Sequence, residues 1–143
     1  MEILPYDPAA STAETRAVAE KLVAVLQGEG EGFNLFDGTA IWVAGSYWWS
    51  GMLDPDKAAR VQTHFHRCLQ GGADGLTNSL RSIIADGNKA AIEMLMHGIW
   101  KDGRTFTKDI HIAIDVADGH IVNYREYGFD DAFFALEAEE PLW

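Results

Sequence analysis

Glu93, His97, Asp109, His111, Tyr124 and Glu126 all fall between Asn88 and Asp130, a stretch that otherwise reads as three consecutive β-strands. The run Ala90-Ala91-Ile92-Glu93-Met94-Leu95-Met96-His97 alternates apolar and polar residues before an Asp102-Gly103 turn. Phe106 to Val116 follows, and Asp118-Gly119 then leads into His120-Ile121-Val122-Asn123-Tyr124-Arg125-Glu126-Tyr127. An Asp-Gly step between alternating segments is a strong hairpin signal. Residues two apart on a strand share a face. Glu93 is therefore expected beside Leu95 and His97, His111 beside Asp109 and Ala113, and Glu126 beside Val122 and Tyr124. Ionisable groups on faces that also carry core residues are costly unless paired, so these faces are expected to turn inward and form a site.

The chemistry of such a site is general acid–base catalysis. Burial raises a carboxyl pKa toward neutrality, where the group can shuttle protons, and a neutral imidazole exchanges a proton near pH 7. Glu126 is expected to be the principal acid or base, because alternation sends its neighbour Arg125 to the opposite side and removes a simple ion pair with it. His111 is its expected counterpart, the competing reading being a core histidine bonded to backbone or to Asp109. Glu93, flanked by Ile92 and Met94, is either a second acid or a structural partner of His111 or Lys108. His97 lies nearer the strand end, where solvation competes with function. Tyr47, Trp48 and Trp49 cluster in a loop and, with Trp42, suit a planar aromatic or polycyclic ligand or else a dimer contact. Asp109, Tyr124, His97 and His64 complete the expected substrate-binding set. His64 and Cys68 stand one helical turn apart, and Glu93, His97, His111 and Glu126 form a conceivable ligand set. Ordinary helix packing outweighs the first, and the second is chemically possible. Met94 and Met96 point away from Glu93 and are expected to pack the sheet against a partner.

The elements that must position these residues are also legible. Ser11-Thr12-Ala13-Glu14 is a capping box. Val18, Leu22, Val25 and Leu26 behind it recur at helical spacing, which predicts a helix over Thr12 to Gln27. Gly28 to Gly32 reads as a linker without the spacing of a phosphate loop, Phe33 to Phe36 as one helical turn, and Thr39 to Val43 as a strand. A loop from Gly45 to Gly51 follows. Asp54-Pro55 opens a second helix carrying Val61, Phe65 and Leu69 and stopping at Gly71-Gly72. Leu76 to Ala85 is a strand closed by Asp86-Gly87, and Asp131 to Ala138 is a short terminal helix. Helices first and sequential antiparallel strands after them predict one α+β domain over residues 1–143. A curved, mostly antiparallel sheet would wrap around the N-terminal helices into a cone with an internal pocket.

Composition narrows the partners. The chain has 143 residues, 48% of them hydrophobic, which suits a single domain with a sizeable core. Its formal net charge of −11 argues against nucleic acid and anionic membranes and for a neutral or cationic small molecule. No apolar run is long enough to span a bilayer, and Met1-Glu2-Ile3-Leu4-Pro5 lacks the character of a signal peptide. The single cysteine, Cys68, excludes an internal disulfide and fits the cytoplasm.

The order of elements, Trp42 followed by Gly45 and Gly51, the run Asp102-Gly103-Arg104-Thr105-Phe106, and Asp118-Gly119-His120-Ile121-Val122 with Arg125-Glu126-Tyr127 resemble the nuclear transport factor 2-like superfamily. The resemblance is greatest to its SnoaL-like branch of polyketide cyclases; limonene epoxide hydrolases and ketosteroid isomerases are more distant. It covers nearly the whole chain and bears on fold more than on reaction. It implies that Glu126 stands where the epoxide hydrolases carry a catalytic aspartate base. Their arginine–aspartate pair falls at Glu93 and Leu95, which disfavours epoxide hydrolysis. The protonated aspartate of the ketosteroid isomerases falls at His111 and their base carboxylate near Trp42, which disfavours that reaction too. The resemblance thus implies a cofactor-free lyase, isomerase or cyclase that holds no metal. Its substrate would be a small, largely apolar aromatic or polycyclic molecule, such as a polyketide or lignin-type aromatic dimer. A homodimer through the outer sheet face is expected. The alternative is a non-catalytic ligand-binding or dimerisation module of the same fold.

Overall fold

The computed structural model describes residues 1–29, 33–36, 38–44, 51–52, 63 and 67–128. The first helix, α1 (Thr12–Leu26), begins where the capping residues require. The Ser11 hydroxyl accepts the Glu14 amide at 3.2 Å, satisfying a donor that has no partner inside the helix. Val18, Ala19, Leu22 and Val23 form its buried stripe, with Val25 and Leu26 packed at its margin. Phe33–Phe36 is a short 3-10 turn, as its sequence suggested.

Among the described residues six strands follow: β1 (Ala40–Val43), β2 (Gly51–Met52), β3 (Thr77–Asp86), β4 (Lys89–Ile99), β5 (Thr105–Ala117) and β6 (His120–Tyr127). They form one sheet in the order β2-β1-β6-β5-β4-β3. Every neighbouring pair is antiparallel except β1 with β6, which run parallel. The expected α+β architecture and mostly antiparallel sheet are therefore present. Gly51–Met52, expected to belong to a loop, instead adds a short strand against Trp42 and Val43.

Alternation along β4 and β5 decides the inner face. Ile92, Met94 and Met96 on β4, with Ile110, Ile112 and Ile114 on β5, are buried against Val18, Leu22 and Val23 of α1 in one apolar cluster. Met94 and Met96 thus belong to the core, not to a partner-facing surface. The opposite positions on β4 and β5 form the outer face, where Glu93, His97, Thr107, Asp109 and His111 are exposed. The second predicted helix, from Asp54, falls almost wholly outside the described residues, as does the terminal helix from Asp131. At its expected end, Leu69 is buried and bridges to Trp100, and Gly72–Gly75 forms a second 3-10 turn. Among the described residues no helix is long and apolar enough to cross a membrane.

The segment before α1 crosses the outer face as a strap. The Leu4 amide donates to Asp115 at 3.1 Å, and the Asp7 amide donates to the Asn88 side chain at 2.9 Å. The Lys89 ammonium donates to the Leu4 carbonyl at 2.6 Å. Gly87 makes this close approach possible: its φ is +56°, and a Cβ there would lie 2.2 Å from the Asp7 carbonyl oxygen. Gly87→Ala is accordingly expected to cost roughly 1–3 kcal/mol, read from the shift of a urea unfolding midpoint at unchanged slope.

Candidate active site

Glu126 and Tyr124 lie on the inner face of β6. In register, Glu126 sits between Val43 of β1 and Ile112 of β5, and Tyr124 between Ile41 and Ile114. Val43, Ile112 and Ile114 are buried, so the glutamate is set among apolar groups. Phe36 meets the Tyr124 ring edge-on at a centroid distance of 6.0 Å. The Tyr124 hydroxyl donates to Glu126 Oε1 at 3.2 Å. Burial raises the Glu126 pKa from 4.5 to about 7, and the tyrosine hydrogen bond pulls in the opposite direction. Tyr124 itself is held well above its ordinary value, first by burial and then by the neighbouring carboxylate charge. The pair is therefore a carboxyl group that exchanges a proton near neutral pH, beside a phenol that stays protonated. Tyr124→Phe removes the stabilising donor and is expected to move the Glu126 midpoint above 7, measured by carbon-detected titration of the labelled carboxyl.

The other expected catalytic residues stand on the outer face. Glu93 faces His111 across β4 and β5, and both are exposed. Glu93 accepts a hydrogen bond from the Ser82 hydroxyl at 3.1 Å, while Asp109 pairs with Arg81. His97 Nδ1 lies 3.1 Å from the Thr107 hydroxyl. Glu93, Asp109 and His111 border a recess of about 140 Å³ that also includes Arg81. The sheet separates this group from Glu126. The expectation that all these faces turn inward is corrected: isoleucines and methionines hold the inner positions of β4 and β5, so the ionisable residues take the solvated side. His111 cannot exchange a proton directly with Glu126, and Glu93 cannot tune it by contact.

Trp42 is also corrected. It faces Arg125 in register and meets the Tyr127 ring at 5.4 Å, tilted by 59°, on the outer side, away from Tyr124 and Glu126. Tyr47, Trp48, Trp49 and His64 lie outside the described residues. Cys68 is half-buried. Among the described residues no three His, Cys, Asp or Glu side chains gather to hold a metal.

A cluster that the sequence reading passed over lies behind the site. Asp115 is fully buried, yet it accepts from Lys89 at 2.6 Å, Asn123 at 2.9 Å and both terminal nitrogens of Arg125 at 3.2 and 3.0 Å. Burial pushes the Asp115 pKa up, but the hydrogen bonds from Arg125, Lys89 and Asn123 outweigh it and hold the group below its ordinary value. An acid inside Ile112-Ala113-Ile114-Asp115-Val116, with arginine on the next strand, was the available signal.

No family model matches the chain, and no curated protein matches it by sequence. Solved structures do. An epoxide hydrolase of the limonene-hydrolase type from M. tuberculosis superposes at a TM-score of 0.60 and 18% identity, over 90% of this chain and 92% of that one. A protein named as a SnoaL-like polyketide cyclase from Jannaschia sp. CCS1 gives 0.61 and 12%, over 99% of both. An NTF2-like protein from Burkholderia xenovorans LB400 gives 0.60 and 20%, over 91% and 98%. The chain has the nuclear transport factor 2-like fold, as its sequence resembled. At these identities the likeness carries the fold, and the chemistry has to come from the residues.

Proposed function

We propose that this chain is an acid–base enzyme working without a cofactor, of lyase, isomerase or cyclase type. Glu126 is its proton-transfer group, and its substrate is a small, largely apolar aromatic or polycyclic molecule such as a polyketide or lignin-type aromatic dimer. The observation that carries the proposal is a carboxyl group on the apolar inner face, with a pKa of about 7 and a tyrosine donor at 3.2 Å. The Glu126 carboxylate takes a proton from a substrate carbon beside a carbonyl. It returns that proton to another carbon in an isomerisation, to the alkoxide oxygen formed when the carbanion closes on a second carbonyl in a cyclisation, or to a departing oxygen in an elimination. Tyr124 takes the place expected for His111 beside the carboxyl group: its hydroxyl holds the charged form and orients it. Val43 and Ile112 flank Glu126 in register, and these apolar surroundings favour a hydrocarbon-rich substrate.

The expected homodimer is part of the same proposal. Ile84 and Tyr127 are exposed on the outer face, and light scattering of the purified chain reads the mass directly.

The test is a thermal-shift screen of EDTA-treated protein against polyketide aromatics, lignin-type dimers, steroids and terpene epoxides, each hit being followed by mass spectrometry. Stabilisation with conversion by the native chain, and stabilisation without conversion by Glu126→Gln, is the expected result. Hits that stabilise both proteins and are converted by neither would leave a binding module in its place.

A further inference from the structure

The hairpin joining β5 and β6 changes register part of the way along, and that change decides which face Glu126 occupies. At the turn, Asp118 and Gly119 both adopt positive φ, of 51° and 74°, which fits a tight two-residue hairpin with Ala117 facing His120. Val116 then faces Ile121. One step further Asp115 faces Asn123, so Val122 is the extra residue of a β-bulge. Beyond it Ile114 faces Tyr124 and Ile112 faces Glu126. If the register set by the turn ran on unbroken, Ile112 would face Arg125 and His111 would face Glu126. A one-residue slip moves every side chain to the other face. In the slipped hairpin Tyr124 and Glu126 would stand outside, and Asn123 and Arg125 would enter the core.

We propose that Asp115, Asn123 and Arg125 form a register lock that holds the bulge at Val122 and thereby positions Tyr124 and Glu126 on the inner face. Asp115 is fully buried and collects the Asn123 amide at 2.9 Å and the Arg125 guanidinium at 3.0 Å. Both donors reach it only when they share its face, and that requires the bulge. The strap closes the arrangement: the Leu4 amide donates to Asp115, and the Asn123 amide group also donates to the Glu2 carbonyl at 2.9 Å. A buried ionic cluster is weak evidence for stability, and fixing one pairing among alternatives is its best-attested use. Here the two pairings differ in where Glu126 goes, so these three are positioning residues for it. Their importance for activity rests on the proposed function; the structural claim does not.

The test replaces the lock by leucines, Asp115→Leu, Asn123→Leu and Arg125→Leu together, and reads cross-strand nuclear Overhauser contacts and the Glu126 titration. The apolar replacements fit the slipped hairpin as well as the native one. The expected result is loss of the Ile112–Glu126 contact, gain of a His111–Glu126 contact, and a fall of the Glu126 midpoint from about 7 toward 4.5. Deleting Val122 from this triple variant makes the turn register and the inward register agree without a bulge, and is expected to restore both readouts. A folded triple variant that keeps the native contacts overturns the lock. Should the triple variant fail to fold, deletion of Val122 from the native chain decides. Retained Ile112–Glu126 contact is expected, and its loss overturns the proposal. A native chain whose Glu126 titrates near 4.5 while the contacts switch as described would defeat the proposed function and leave the lock standing.

Discussion

Glu126→Gln is expected to lower kcat/KM by 10²–10⁴-fold on whatever substrate the native chain converts, the range over which a positioned proton-transfer group contributes. The amide keeps the shape and can still accept the Tyr124 hydroxyl, so the loss reads proton transfer and not packing. The same change has an opposite signature in stability. The folded-state pKa of Glu126 lies above its unfolded value, so between pH 4.5 and about 7 the folded chain holds a proton that the unfolded chain has released. Stability contributed by this group is present below that window and lost as pH rises through it. The displacement corresponds to about 3 kcal/mol. The glutamine variant does not titrate. It is expected to match the native chain near pH 4.5 and to exceed it at pH 8 by a few kcal/mol, read from urea unfolding at both pH values. Activity lost with stability gained is the mark of a group held for function at the expense of the fold.

Asp115→Ala is expected to destabilise the fold by about 3–5 kcal/mol near pH 7. The loss comes less from the attraction removed than from what remains. Arg125 is 12% exposed and Lys89 29%, and both would lose the carboxylate they surround, together with the Asn123 and Leu4 donors. The pH dependence runs opposite to that of Glu126. Because the Asp115 pKa is depressed below 3.8, its contribution is present above the unfolded value and is lost as pH falls through the folded one. Urea unfolding of both proteins between pH 7 and pH 3 measures this: the gap should narrow at the acid end and stay constant above.

Local chemistry made much of the fold legible. The Ser11 cap, the stripe of Val18 and Leu22, and the Asp102-Gly103 and Asp118-Gly119 turns each act over a few residues, and each produced the element it predicts. The parallel pairing of β1 with β6 joins residues some eighty positions apart, as with Ala40 and Asn123, and no local signal encodes it. The site was half legible. Arg125 and Glu126 do take opposite sides of β6, and Tyr124 shares the inner face with Glu126. The inner face of β4 and β5 departs from expectation because ionisable residues at alternate positions do not by themselves mark the inward side. The larger apolar residues beside them, Ile92, Met94, Ile110 and Ile112, gain more by burial and take the inside. Once β5 is oriented that way, strict alternation from the Asp118-Gly119 turn would carry Glu126 out beside His111. Only the bulge at Val122 brings it in, and the residues of the proposed lock there, Asp115, Asn123 and Arg125, meet in space and not in sequence.

The most direct measurement is a carbon-detected titration of Glu126 in protein carrying labelled glutamate side chains, with Glu126→Gln used to assign the signal. A midpoint near 7 is the expected result, because the half-buried carboxyl group lies between Val43 and Ile112 on the apolar inner face, which disfavours its charged form. A midpoint near 4.5 would mean that the group is solvated and charged at neutral pH like any surface glutamate, and Glu126 could not be the proton-transfer group proposed here.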